Sequence, residues 1–285
     1  MTCSPLPPST PSKRLAALAP FVGNTPLLRL RQLEPHPGVE IHAKAEWQQL
    51  GGSVKARPAF AMLRAVADEL GTRRILDATS GNTGIAFATF CAAAGLSLTL
   101  CMPENASPER KRMLAWLGAE VVLTSPFEGT EGAQDVARDL ACKVPERYAY
   151  LDQYNNDANW RAHLRSTAPE IWDQTAGRVT HFIAGLGTTG TFTGTTRGLK
   201  CRSEGIRCVA LQPETALHGL EGWKHLETAR VPGIFAPDSP DELRTVSTEA
   251  AYAMMRRAAR EEGLLLSPSA AANLAGAVAL ASELA

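Results

Sequence analysis

Three short turns hold the residues whose types and spacing could do chemistry. The first runs Gly185-Leu186-Gly187-Thr188-Thr189-Gly190-Thr191, placing bare backbone amides and three threonine hydroxyls together after the β-rich run THFIAG. Such a turn, opening a helix, suits an anion, because helix-start N–H groups lack intrahelical partners and the helix dipole favours negative charge there. Gly185, Gly187 and Gly190 also satisfy the GxGxxG pattern of dinucleotide sites, a weak signal alone. That fingerprint usually follows the first strand of its unit, whereas this one comes late, and no lysine ends the loop as in a nucleoside-triphosphate P-loop. A glycine-rich turn that binds nothing is the plainer alternative.

The second turn, Thr79-Ser80-Gly81-Asn82-Thr83-Gly84, follows ILDA and offers hydroxyls, an amide and free N–H groups to a carboxylate. A simple helix cap would need only one of these residues. The third, Gly51-Gly52-Ser53-Val54-Lys55, sets a lysine immediately before the amphipathic segment ARPAFAMLRAVADEL, at a helix start where cations are disfavoured. A lone lysine is ordinarily a solvated charge. A lysine desolvated near a phosphate site loses its proton and becomes a Schiff-base nucleophile, so the combination says more than either part.

Positioning these turns requires a regular scaffold, and the sequence supplies one. Seven β-rich runs begin at Val39, Ile75, Ser97, Ala119, Tyr148, Thr180 and Arg207, most separated by Ala-rich segments of helical period. This alternation predicts an α/β fold of mostly parallel sheets flanked by helices, in which ligands bind beyond the carboxyl ends of strands. Caps agree: Ser107-Pro108 opens one helix that Gly118 closes, and Ser247 and Gly263 bracket another. At 285 residues and 45% hydrophobic content, the chain can bury cores for two domains. The 29 basic residues balance the 29 acidic ones, which argues for small-molecule partners and against nucleic acid or an anionic membrane. Six scattered cysteines (3, 91, 101, 142, 201 and 208) have no zinc or disulfide spacing; reduced, mostly buried thiols and no metal are expected. The Pro- and Ser-rich N-terminus lacks the apolar run of a signal peptide, and no stretch reaches spanning length. A soluble, cytoplasmic protein is expected.

Seven segments resemble, in one order, the cysteine synthase (O-acetylserine sulfhydrylase) family of fold-type-II pyridoxal-phosphate enzymes. They are GNTPLLRL from Gly23, KAEW with GGSVKARPA, TSGNTG, MPENASPERKRMLAWLGAEVV, PEIWDQT, THFIAGLGTTGTFTG and LQPE. The similarity runs from about Val22 to the C-terminus, and the GTTGT loop is closer to the B-type branch. The resemblance implies two open, twisted, mostly parallel sheets as in the tryptophan synthase β-like fold. It implies a larger cofactor-binding domain over 1–47 plus 155–285 and a smaller mobile one over 48–154. It further implies that Lys55 links covalently to pyridoxal 5′-phosphate, Asn82 bonds its 3′ oxygen, and Gly187, Thr188, Thr189, Gly190 and Thr191 bind its phosphate. Ser269 matches the serine facing the pyridine nitrogen, where a neutral partner moderates the electron sink and suits β-elimination. Thr79, Ser80, Thr83 and Gln153 match positions that hold the substrate carboxylate. Lys224 lies where the family contacts the leaving group; there it would favour an anionic one, and a solvated loop lysine is the alternative. His218 and His225, in the same stretch, receive no role.

The implied activity is that of a transferase in cysteine biosynthesis. It is β-replacement on O-acetylserine or O-phosphoserine by sulfide or another sulfur nucleophile, in a homodimer, giving L-cysteine or an S-substituted cysteine. Two other classes remain: a catalytically weak regulatory or scaffolding homologue, and a related enzyme such as a cystathionine synthase, a serine or threonine dehydratase, or a diaminopropionate synthase. Three departures bear on this. Where the family reads Asn-Pro-Gly-Gly-Ser-Val-Lys-Asp-Arg, this chain has Gln49, Leu50 and Ala56 in place of the asparagine, proline and aspartate; losing the aspartate is expected to loosen the closing lobe. The segment Ser267–Ala272 (SPSAAA) is expected to crowd backbone where glycines usually sit. The sequence also stops before the family's last strand and its Asp-Gly turn, so a truncated chain or a lobe without that edge strand is expected.

Overall fold

A computed structural model describes residues 10–284. In chain order the elements are α1 (Pro11–Leu18), β1 (Leu27–Arg29), β2 (His42–Lys44), α2 (Ala56–Val66), β3 (Arg74–Ala78), α3 (Asn82–Ala94), β4 (Leu98–Pro103), α4 (Pro108–Trp116) and β5 (Glu120–Thr124). They continue with α5 (Gly129–Lys143), β6 (Tyr148–Tyr150), α6 (Asp157–Arg165), α7 (Thr167–Gln174), β7 (His181–Gly185), α8 (Gly190–Lys200), β8 (Arg207–Pro213), β9 (Glu242–Val246), α9 (Thr248–Glu261) and α10 (Pro268–Ala281).

The described residues divide into two compact units, 10–22 with 49–152, and 23–48 with 153–284. The first is built on a parallel sheet of order β5-β4-β3-β6. β4 is buried along its whole length, LTLCMP, and its one polar residue, Thr99, has its hydroxyl hydrogen-bonded with Arg74 and Glu120. Beneath β3 and β4, Leu76, Ala78 and Cys101 pack with Ala133 and Ala137 of α5. The described residues 10–22 belong to this unit rather than to the other one, as α1 packs on α3 and its Arg14 lies over Gly95.

The second unit holds a parallel sheet of order β7-β8-β9 and the antiparallel pair β1-β2. One core joins Phe182, Ala184 and Leu186 to Phe192 and Leu199 of α8 and to Ile171 of α7. A second joins Leu30, Leu33 and Ile41 to Met254 and Ala258 of α9 and Leu274 of α10. All seven expected strand runs contain a strand, and the cap residues act as read: Ser107 Oγ accepts from Arg110 N and Ser247 Oγ from Ala250 N. The SPSAAA segment forms no glycine-like loop. Ser267 caps α10, Pro268 occupies its first position, and Ala271 and Ala272 are buried within it.

Among the described cysteines, Cys91, Cys101 and Cys208 are buried and Cys142 and Cys201 are exposed; Cys3 lies outside the described residues. No group of His, Cys, Asp and Glu among the described residues is arranged to hold a metal, and no described helix is long and apolar enough to cross a membrane.

Candidate active site

In the first unit, the chain reverses at Gly51 and Gly52, whose φ values of +92° and +65° a side chain would resist. Gln49 Nε2 donates to the Ser53 carbonyl at 3.1 Å, closing the turn. Lys55 follows as the residue capping α2, half-buried, with its amide donating to Ser53 Oγ at 3.3 Å. Ala56 is fully buried, and a Cβ built on Gly51 would lie 3.4 Å from its methyl. Alanine leaves no carboxylate to be partnered at this buried position.

The 79–84 turn leaves β3 and opens α3. Thr79 is 3% exposed and its hydroxyl organises the turn, accepting from the amides of Gly81 (3.1 Å) and Gly84 (3.2 Å). The first two amides of α3, Asn82 and Thr83, have no intrahelical acceptor. Asn82 is exposed, Ser80 half-buried and Thr83 buried. Arg110 of α4, a residue the sequence reading passed over, donates from Nη1 to the Ser80 carbonyl at 3.2 Å. Its positive charge beside this helix start adds to the dipole's preference for an anion.

In the second unit, the expected positions Gly187, Thr188, Thr189, Gly190 and Thr191 follow the end of β7, and Gln153, Lys224 and Ser269 are tied to them through short contacts. Thr189 takes φ +70°, a left-handed conformation unusual for a β-branched residue. Its hydroxyl is buried and has no hydrogen-bond partner among the described residues. Strain of about 1–3 kcal/mol at such a residue persists only where the surroundings impose it, commonly at a ligand clamp. Gly187 and Gly190 allow close approach: a Cβ at 187 would meet the Gly222 carbonyl oxygen at 2.2 Å, and one at 190 would meet Asn159 Oδ1 at 2.0 Å. Gln153 is buried, and its carbonyl accepts from Asn159 Nδ2 at 2.7 Å. Lys224 N donates to the Leu186 carbonyl at 2.7 Å, and its ammonium lies 5.4 Å from the centre of the Tyr154 ring. Ser269 stands in the first turn of α10, its Oγ 3.2 Å from Ser267 Oγ. Asn273 ties that turn to the strand, accepting from Gly185 N at 2.7 Å and donating to the Ser269 carbonyl at 3.0 Å.

Helix α6 underlies the loop. Its only buried residues are polar, Asn159 and His163, four apart and so on one face. Asn159 Nδ2 reaches Thr188 Oγ1 at 3.1 Å, and His163 Nε2 lies 3.2 Å from Thr191 Oγ1 while its Nδ1 lies 2.9 Å from Thr167 Oγ1. Neither residue, nor Asn273, stood out in the sequence. The available signal was a helix whose i, i+4 pair is Asn and His where an apolar pair would be expected. Burial pushes the pKa of His218 down, with His225 adding to the effect, and its Nδ1 accepts from Leu220 N at 3.1 Å.

The family described as "Pyridoxal-phosphate dependent enzyme" matches residues 18–285. A cysteine synthase of Aquifex aeolicus is 47% identical over 273 residues, 93% of this chain and 83% of that protein. Cysteine synthase B of Escherichia coli is 38% identical over 94% of this chain and 88% of its own length. The crystal structure of the cysteine synthase of Entamoeba histolytica superposes with a TM-score of 0.86 at 29% identity, covering 98% of this chain and 86% of that one. With the match running from before β1 to the final residue, the chain belongs to the pyridoxal-phosphate dependent enzymes, among relatives of the cysteine synthase type.

Proposed function

We propose that this chain makes cysteine by β-replacement: sulfide or another sulfur nucleophile takes the place of the β-substituent of O-acetylserine or O-phosphoserine. The Cβ–O bond breaks, acetate or phosphate departs, and a Cβ–S bond forms, giving L-cysteine or an S-substituted cysteine. Bound pyridoxal phosphate supplies the electron sink that makes the α-proton acidic. The observation that carries the reading is Thr189, a strained residue with a buried, unpartnered hydroxyl, in a loop of threonines and glycines at a helix start. That donor set fits a phosphate monoester.

In this reading Lys55 anchors the cofactor and its freed amine takes and returns the α-proton. Asn82 bonds the 3′ oxygen, Gly187 to Thr191 hold the phosphate, and Ser269 presents a neutral hydroxyl to the ring nitrogen. Ser80, Thr83 and the α3 amides bind the substrate carboxylate with Gln153; Thr79 serves that site by shaping the turn, as its two accepted hydrogen bonds support. Lys224 stabilises an anionic leaving group. The unit bearing the 79–84 turn is the mobile one, the working assembly is a homodimer, and the compartment is the cytoplasm.

The test is the visible absorption spectrum of the purified protein supplied with pyridoxal phosphate. A lysine-linked band that is missing in Lys55→Ala, that moves on addition of O-acetylserine or O-phosphoserine, and that returns with cysteine release when sulfide is added is the expected result. A protein that stays colourless with added cofactor refutes the assignment.

A further inference from the structure

The phosphate loop has a support that its own residues do not provide. Asn159 is 1% exposed and its carboxamide orientation is fixed by chemistry, because the Gln153 carbonyl can only accept and so must face Nδ2. The second hydrogen on Nδ2 is then aimed at Thr188 Oγ1, 3.1 Å away. Thr188 receives a hydrogen bond there, so its own O–H is left to donate elsewhere. Oδ1 has no hydrogen-bond partner among the described residues and abuts Gly190, where any Cβ would overlap it. The side chain is thus held by one backbone carbonyl, one hydroxyl and one glycine, all belonging to the second unit.

Resting on the reading of Gly187–Thr191 as the phosphate loop, we infer that Asn159 is a positioning residue that fixes the direction of the Thr188 hydroxyl. By accepting from Asn159, Thr188 turns its own O–H away from the carboxamide, which leaves that proton for the phosphate of the cofactor. The same carboxamide anchors the carbonyl of Gln153, so the phosphate loop and the proposed carboxylate residue share one fixed point. An oxygen in place of Nδ2 would reverse the arrangement: it would repel the Gln153 carbonyl and draw the Thr188 proton away from the ligand.

A double-mutant cycle on cofactor affinity tests this, using apoprotein titrated with pyridoxal 5′-phosphate and followed by absorbance. Asn159→Ala and Thr188→Val are each expected to weaken binding by about tenfold, and the double variant to weaken it no further than Thr188→Val alone, because one residue acts through the other. The near-isosteric Asn159→Asp is expected to bind more weakly than Asn159→Ala. Thermal melting of each apoprotein separates folding from affinity; if the alanine variant does not fold, the cycle is run with Asn159→Asp. Independent effects that multiply to about a hundredfold, or an aspartate variant with unchanged affinity, overturn the role of Asn159 while leaving the phosphate loop intact. Failure of the unsubstituted protein to bind pyridoxal phosphate overturns both.

Discussion

Replacing Gly187 by alanine puts one of the loop's close backbone contacts under a defined load. The new Cβ would lie 2.2 Å from the Gly222 carbonyl oxygen, whereas ordinary C···O contacts are about 3.3 Å or longer. One side therefore has to move by about 1 Å. The 222–224 strap cannot easily retreat, since Lys224 N is bonded to the Leu186 carbonyl at 2.7 Å and Trp223 lies against Gly185, where a Cβ would come within 2.1 Å of its ring. The loop carrying Thr188 and Thr189 yields instead. Overpacking of this kind costs about 1–3 kcal/mol of stability. Each hydrogen bond to the charged phosphate that the shift breaks costs a further ~1.5–3 kcal/mol of affinity, roughly 10- to 150-fold. Gly222→Ala is the control, because its Cβ would enter open space and its φ of +82° costs only about 1–2 kcal/mol of stability. Titration of both apoproteins with pyridoxal phosphate, with melting curves alongside, distinguishes them. Affinity of Gly187→Ala within about threefold of the unsubstituted protein, or equal damage from Gly222→Ala, would refute the argument.

Two further expectations concern the scaffold. Burial pushes the Cys91 and Cys101 thiols up to about 12, with Asp77 adding to the effect at Cys101, whereas Cys142 and Cys201 are exposed. Brief alkylation of the native protein followed by peptide mapping should mark Cys142 and Cys201 and leave Cys91 and Cys101 unmarked until denaturant is added; early labelling of Cys91 would contradict the packing of α3. At Asp241, the hydrogen bond from Lys200 (2.6 Å), and next that from Cys208 N (2.7 Å), hold the carboxyl below its ordinary 3.8. A depressed folded-state value means this stabilisation is present above the unfolded pKa and is lost as pH falls through the folded one. Lys200→Ala should therefore melt with a shallower loss of stability below pH 3.8 than the unsubstituted protein, and an unchanged acid limb would show the pair contributes nothing.

Strong local signals were legible in the sequence. Ser107 and Ser247 cap helices where a serine precedes a helical run, and β4 was clear because a strand buried on both faces carries no charged residue. Two strands escaped. β1 is only Leu27–Arg29, too short for a period to emerge, and β9, Glu242–Val246, turns the charged Glu242 and Arg244 to its half-buried face and leaves Leu243 exposed, so its alternation does not read as apolar-in, polar-out. Turn chemistry marked the candidate positions, but not how they are held. Nothing in the letters separates a buried Asn159 from a solvated one, since its burial depends on Gly190 and Gly194 of α8, whose missing side chains admit α6. Thr79 likewise carried the same letter whether it binds a ligand or the turn itself.

The interleaved partition of the chain has a consequence for its synthesis. Residues 23–48, which supply β1 and β2, leave the ribosome before the whole of 49–152, yet their packing partners in α9 and α10 come still later. At about 5–20 residues per second, the roughly 200 residues between this segment and α9 take on the order of 10–40 s. Throughout that time the apolar face of Leu30, Leu33 and Ile41 has nothing native to rest on. The first unit can close during translation around a looped-out segment, whereas the second must wait for the nascent chain to be nearly finished, which makes 23–48 the stretch most in need of a chaperone's attention.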